Sequence, residues 1–131
     1  MALGLAPAIA QSMLNALCRN TAWTQPAAFY IKLHTGDPGV AGATAAFADA
    51  TRKAATFSAA AADGTITTTA DINWTNVSAA NTVSHVSFWD AATVGTFLGS
   101  DDLATPRVLA IGDNFTILAG DVDLSLTPIC A

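Results

Sequence analysis

Only two histidines occur in the chain, His34 and His85. Any hydrolytic chemistry would have to run through one of them, since imidazole is the side chain that takes and returns a proton near neutral pH. Each is embedded in a strand-like pattern, in a chain with many serines and aspartates to pair with. No spacing marks a nucleophile elbow or a Ser-His-Asp constellation, and both histidines are read as surface or interface residues. Asp121 and Asp123 fall on one side of a strand pattern, and Asp101-Asp102 in a turn pattern. Such oxygens suit a hard cation, but the expected role is that of solvated acids which keep a sheet edge from aggregating. Cys18 and Cys130 lie near opposite ends of the chain without CxxC spacing; a terminus-to-terminus disulfide is open to them, and two reduced, buried thiols are the favoured reading. Asn73-Trp74-Thr75, Asn76-Val77-Ser78 and Asn114-Phe115-Thr116 match the glycosylation sequon, as chance matches in a Thr-rich chain without a secretion signal. No glycine-rich phosphate loop is present. Trp23, Trp74 and Trp89 stand among apolar strand residues, which favours core or subunit-interface packing over a carbohydrate platform. The expectation is a protein that is not an enzyme and needs no cofactor or metal.

Composition narrows the class further. A chain of 131 residues is read as one domain, 1–131, with a real core. A net charge of −5, a pI near 4.4 and five scattered basic residues argue against a nucleic-acid partner. All ten acids are aspartate, which suits turns and strand ends better than long helices. Charged residues make up 11%, against about a quarter in ordinary soluble domains. Much of the hydrophobic content is alanine, and no run approaches the ~18 apolar residues a spanning helix needs, so no membrane partner is expected. So few charges make a poor surface for a lone molecule in water, and much of that surface is expected to be hidden in an assembly.

The elements that would position these groups are mostly strands. From Thr82 to Thr127 short apolar runs alternate with turn signals: a break at Asp90, another at Gly99-Ser100-Asp101-Asp102, then Gly112-Asp113 and Gly120-Asp121. The final run sets Val122, Leu124 and Leu126 against Asp123, Ser125 and Thr127. Period-2 alternation between Gly-Asp breaks predicts half-buried antiparallel strands in a meander. Upstream, Ala27 to Thr35 alternates Phe29, Ile31, Leu33 with Tyr30, Lys32, His34, and is another strand. Gly36-Asp37-Pro38-Gly39 opens a long loop over 36–50, read as weakly structured. Strands are predicted over Arg52 to Ala59, carrying Phe57, and over Thr65 to Trp74. At the front, residues 1–20 form an arm and helix. Ala8-Ile9-Ala10 imitates a signal-peptidase site, but a positive n-region is missing. Ile9, Met13, Leu14 and Leu17 instead recur at helical spacing after Pro7, predicting an amphipathic helix to about Cys18 that ends at Arg19-Asn20. That helix is expected to pack on the sheet or on a neighbouring subunit. The fold class is mainly β: an antiparallel, jelly-roll-like β-sandwich with one N-terminal amphipathic helix.

Beyond these patterns, the order of segments resembles a known family. SMLNALCRN is followed by TAWTQPAAFYIKLHTGDPG, then by FWDAATVGTFLGSDDL and PRVLAIGDNFTILAGDVDLSLT. This is similar to small tailed-phage virion proteins, often labelled tail fibre protein, which include trimeric capsid decoration (cement) proteins. The likeness is specific at Pro26 to Gly39, Phe88 to Leu98 and Gly112 to Leu126. Where the family usually has Tyr-Ala-Arg near its second strand, this chain reads Ala50-Thr51-Arg52, so only the arginine carries over.

The resemblance implies a structural protein made in the host cytoplasm and placed on the capsid surface of the virion. There it would bind the major capsid protein and itself, as a trimer, and stabilise the shell. The other reading it implies is a tail fibre or minor tail component that binds the host surface. Ile9, Met13, Leu14, Leu17, Trp23, Arg52 and Trp89 are the expected interface residues.

Overall fold

A computed structural model describes residues 4–125 of the chain. The helix α1 (Pro7–Arg19) begins with a proline, whose missing N–H lies where a helix has no internal partner for it anyway. It ends at Asn20 in the left-handed conformation (φ 50°, ψ 36°), with the Thr21 amide donating to the Asn15 carbonyl at 3.2 Å. Arg19 lies in the last turn, against the negative end of the helix dipole. The expected helix is therefore present and one residue longer than predicted.

The strands are β1 (Gly4–Leu5), β2 (Tyr30–His34), β3 (Lys53–Ala54), β4 (Thr65–Thr67), β5 (Ile72–Trp74), β6 (Asn81–Trp89), β7 (Phe97–Leu109), β8 (Phe115–Ile117) and β9 (Asp123–Ser125). A five-stranded antiparallel sheet has the order β1-β7-β6-β2-β3, and two ribbons, β4-β9 and β5-β8, complete the β structure. The protein is mainly β and antiparallel with one N-terminal helix, as its alternation predicts. Ile31 and Leu33 of β2 face Phe88 and Val86 of β6 across the ladder. These four share one buried cluster with Ile72 and Trp74 of β5 and Phe115 and Ile117 of β8. One face of the sheet and the ribbons thus enclose the core. The second layer is divided between two ribbons rather than drawn from a single meander.

Several predicted boundaries move. The expected break at Gly99-Ser100-Asp101-Asp102 is absent, because β7 runs straight through it, pairing Ser100 with Ser87, Asp101 with Val86 and Asp102 with His85. The ladder to β6 outweighs the turn preference of Gly and Asp there. Gly99 is needed for another reason: a Cβ at this position would collide with the Gly4 backbone of β1. The irregularity falls later. Val83 faces Arg107 while His85 faces Asp102, so Leu103 to Pro106 bulge out and Pro106 gives up no ladder bond. The strand expected from Arg52 to Ala59 shrinks to β3, with Phe57 making only an isolated bridge to Thr68. Thr65 to Trp74 splits into β4, which pairs with β9, and β5, which pairs with β8; between them the Thr69 amide donates to the Thr56 carbonyl at 2.9 Å. Cys18 is exposed rather than buried, since it lies on the polar side of α1. Cys130, Leu126 and Thr127 lie outside the described residues, as do the first three.

The 36–50 segment is tied down, contrary to the weakly structured loop its composition predicts. The Thr35 amide donates to Ala45 O at 2.8 Å, and the Phe47 amide to Leu33 O at 3.1 Å, which extends the β2 edge. Phe47 is buried in the core. Gly42 has φ +69°, and a Cβ on it would run into the Phe97 ring. Alanine-rich composition hid the single aromatic anchor that fixes this segment.

Candidate functional site

The second face of the sheet carries the polar half of the alternation. Register places Tyr30 beside Trp89, Lys32 beside Ser87 and Ser100, and His34 beside His85 and Asp102. His34 and Ser87 are nonetheless 0% exposed. His34 Nδ1 lies 2.8 Å from the Thr44 carbonyl, which can only accept, so the imidazole proton belongs on Nδ1. Its Nε2 then accepts from the Ser87 hydroxyl at 2.8 Å, and Ser87 Oγ accepts in turn from Trp89 Nε1 at 2.7 Å. Each proton in this relay has one donor and one acceptor. Burial lowers the His34 pKa, and the charges of Lys32 and His85 add to it, against the opposing bond to Thr44. The ring is held neutral, as the relay requires.

Arg52 continues the same structure. Its guanidinium lies 3.9 Å from the centre of the Trp89 ring, and its Nη1 donates to Ala91 O at 2.9 Å and Val94 O at 2.6 Å. Trp89 also packs against Phe97, with centroids 5.5 Å apart. The turn between β6 and β7 is closed by the Thr96 amide on Asp90 Oδ1 at 2.6 Å. Val94 in this turn has φ 56° and is 86% exposed, an unfavourable conformation for a β-branched side chain. Arg52 therefore braces a strained, outward-facing turn.

A serine hydroxyl 2.8 Å from an imidazole nitrogen resembles a nucleophile and its base. The surroundings argue otherwise. The serine oxygen is already occupied by Trp89, the far imidazole nitrogen meets a carbonyl instead of a carboxylate, and neither residue reaches solvent. His34 is thus a buried histidine on the second face of the sheet, and its expected surface or interface position is corrected; the 36–50 segment covers it. His85 is half-buried, with Nδ1 2.8 Å from the neighbouring Ser84 hydroxyl. Asp101, on the core face opposite Val86, has its pKa raised by burial, with Asp102 and Asp123 adding to the effect. Among the described residues, no three His, Cys, Asp or Glu side chains converge as metal ligands would.

The helix forms the other distinctive surface. No residue of α1 is buried, although its sequence is amphipathic. Ile9 packs on the core from outside, and with Met13 and Trp23 it lines a concavity floored by Phe29 and Leu98. Leu14 and Leu17 border an adjoining apolar concavity and are 60% and 81% exposed. Of the seven expected interface residues, five therefore gather around α1. Arg52 and Trp89 form the separate stack. The His34–Ser87 pair was not anticipated; the alternations of β2 and β6 place both on polar faces, but nothing in the sequence sets their register.

Comparison with known proteins is consistent with a virion role. A search of curated proteins returned no match. The family model described as podophage GP4 fiber I protein gp80 matches residues 4–125, the whole of the described chain. The chain belongs to the podophage GP4 fiber I protein gp80 family, a family of tailed-phage virion structural proteins.

Proposed function

We propose that the chain is a fibre subunit of a podophage particle, working in several copies through surface contact and catalysing nothing. The family description supports the fibre assignment. The observation that carries the contact reading is α1, an amphipathic helix with no buried residue. A helix of this length gains most of its stability from packing an apolar face, and among the described residues that packing is incomplete. The sealed His34–Ser87 relay supports a non-catalytic protein, since its groups are consumed in holding the fold. Decoration of the capsid shell is the competing location.

Immunogold labelling of intact particles with antibody to this protein tests the assignment. Gold at the tail fibres is expected. Gold spread over the capsid surface would replace the fibre reading with shell decoration, and unlabelled particles would remove both.

A further inference from the structure

We propose that Lys32 and Arg52 hold the carboxylate of a ligand on the second face of the five-stranded sheet. Arg52 immediately precedes β3, and the pairing of Lys53 with Ile31 brings it alongside Lys32 of β2. Both cations are half-buried, as are the paired aromatics Tyr30 and Trp89, so neither is closed to solvent.

The charge balance at this spot runs against that of the chain. Acids outnumber bases ten to five, yet two of the five cations meet here. No acid acts on Lys32: burial lowers its pKa, and the charge of Arg52 lowers it further. Burial lowers Arg52 as well, and the field of Asp90 offsets only part of that. Asp90 Oδ1 is already committed to the Thr96 amide. Two half-buried cations with no acid between them repel, and an anion seated there relieves both.

Arg52 is also prepared to receive one. Its guanidinium is fixed by the stack on Trp89, 3.9 Å from the ring centre, and by the bonds from Nη1 to Ala91 O and Val94 O. The ordering of this long side chain is therefore complete before a ligand arrives. Among the described residues, Nε and Nη2 make no hydrogen bond, which leaves one flat edge of the fork open. A carboxylate matches that edge with two parallel bonds, and its single charge matches what two cations retain beside Asp90. The ammonium of Lys32 adds a third donor from the neighbouring strand.

Titration of the purified chain with acetate and with glucuronate, followed by the Trp89 indole N–H resonance at constant ionic strength, tests the site. Both probes should shift the resonance saturably, and chloride at the same concentration should not. Tighter binding of glucuronate would assign an acidic sugar as the source of the carboxylate, and equal binding would assign the carboxylate group alone. Lys32→Gln should weaken binding at least ~5-fold. Lys53→Gln removes the same charge nearby, but from the face beside Ile31, and should leave binding unchanged. A resonance that stays in place, one that chloride moves equally, or equal weakening by the two substitutions would overturn the proposal. The wild-type titration decides even if Lys32→Gln does not fold. None of these results bears on where gold falls on the particle, so the site and the fibre assignment fail separately.

Discussion

Arg52 stacks on Trp89 with its guanidinium 3.9 Å from the ring centre, and the same guanidinium holds two carbonyls of the following turn. Trp89 passes the connection inward through Ser87 to His34 and on to Thr44, so the β6–β7 turn and the 36–50 segment are joined by one chain of bonds. The network lies across the polar face of the sheet and fastens the segments around it.

Removing the brace should destabilise the fold. Arg52→Ala loses the stack and both carbonyl bonds and leaves Val94 in a strained conformation, for a cost of about 1–3 kcal/mol. Arg52→Lys should recover little of it, because an ammonium reproduces neither the planar stack nor the paired donors. Urea unfolding followed by tryptophan fluorescence measures both, and a loss below ~0.5 kcal/mol for the alanine variant would show that the stack is ornamental.

Ser87→Ala removes one hydroxyl but orphans two partners, the buried His34 Nε2 and the half-buried Trp89 Nε1. With ~1–3 kcal/mol for the buried imidazole nitrogen and about 1 kcal/mol for the half-buried indole N–H, the variant should lose about 2–4 kcal/mol. That exceeds what truncating an exposed serine would do. Equal effects of Ser87→Ala and Ser12→Ala, the latter on the helix exterior, would contradict the relay.

The pH dependence has a definite sign. The folded pKa of His34 is depressed below its unfolded value of about 6.5. The unfolded chain binds the extra proton, so the His34 contribution is complete above about 6.5 and is lost as pH falls from there towards the folded value. His34→Gln should flatten the stability profile over that range. Asp101 behaves oppositely: its folded pKa is raised, so its contribution is present below about 4 and is lost as pH rises through the folded value. Asp101→Asn should therefore raise the melting temperature at pH 7, since the amide oxygen keeps the bond from the Asp102 amide. A lowered melting temperature would contradict this placement of the carboxyl.

Gly42→Ala tests whether the 36–50 segment is seated as described. The substitution demands a positive φ from alanine and pushes a methyl into the Phe97 ring, costing about 1–3 kcal/mol. Gly120→Ala carries the backbone penalty at φ +86° with no neighbour within 4 Å, so it should cost less. If the two variants were equally stable, Phe97 would not be resting on this segment.

Much of this organisation is legible in the residues themselves. Pro7 and Asn20 mark the helix, and Ile31, Leu33, Val86 and Phe88 mark two core-facing strands, because local spacing and capping chemistry fix both. The apolar α1 residues and Trp23 are equally visible, since an amphipathic arc is a local property. What local patterns miss depends on long-range register. Gly99 to Asp102 form a turn only until β6 is laid beside them, and His34 becomes a buried residue only once Ser87 and Thr44 are brought to its ring. The 36–50 segment misleads for a related reason: Phe47 is one anchor in an alanine-rich run and has no periodicity to announce it.

The ratio of this protein to major capsid protein in purified virions, by quantitative mass spectrometry, bears on the fibre assignment as a whole. Fibres occupy few positions on a particle, so the ratio should fall far below one copy per capsid subunit and stay constant between preparations. A ratio near one would mean that the chain covers the shell, and its absence from washed particles would mean that it is not a virion component.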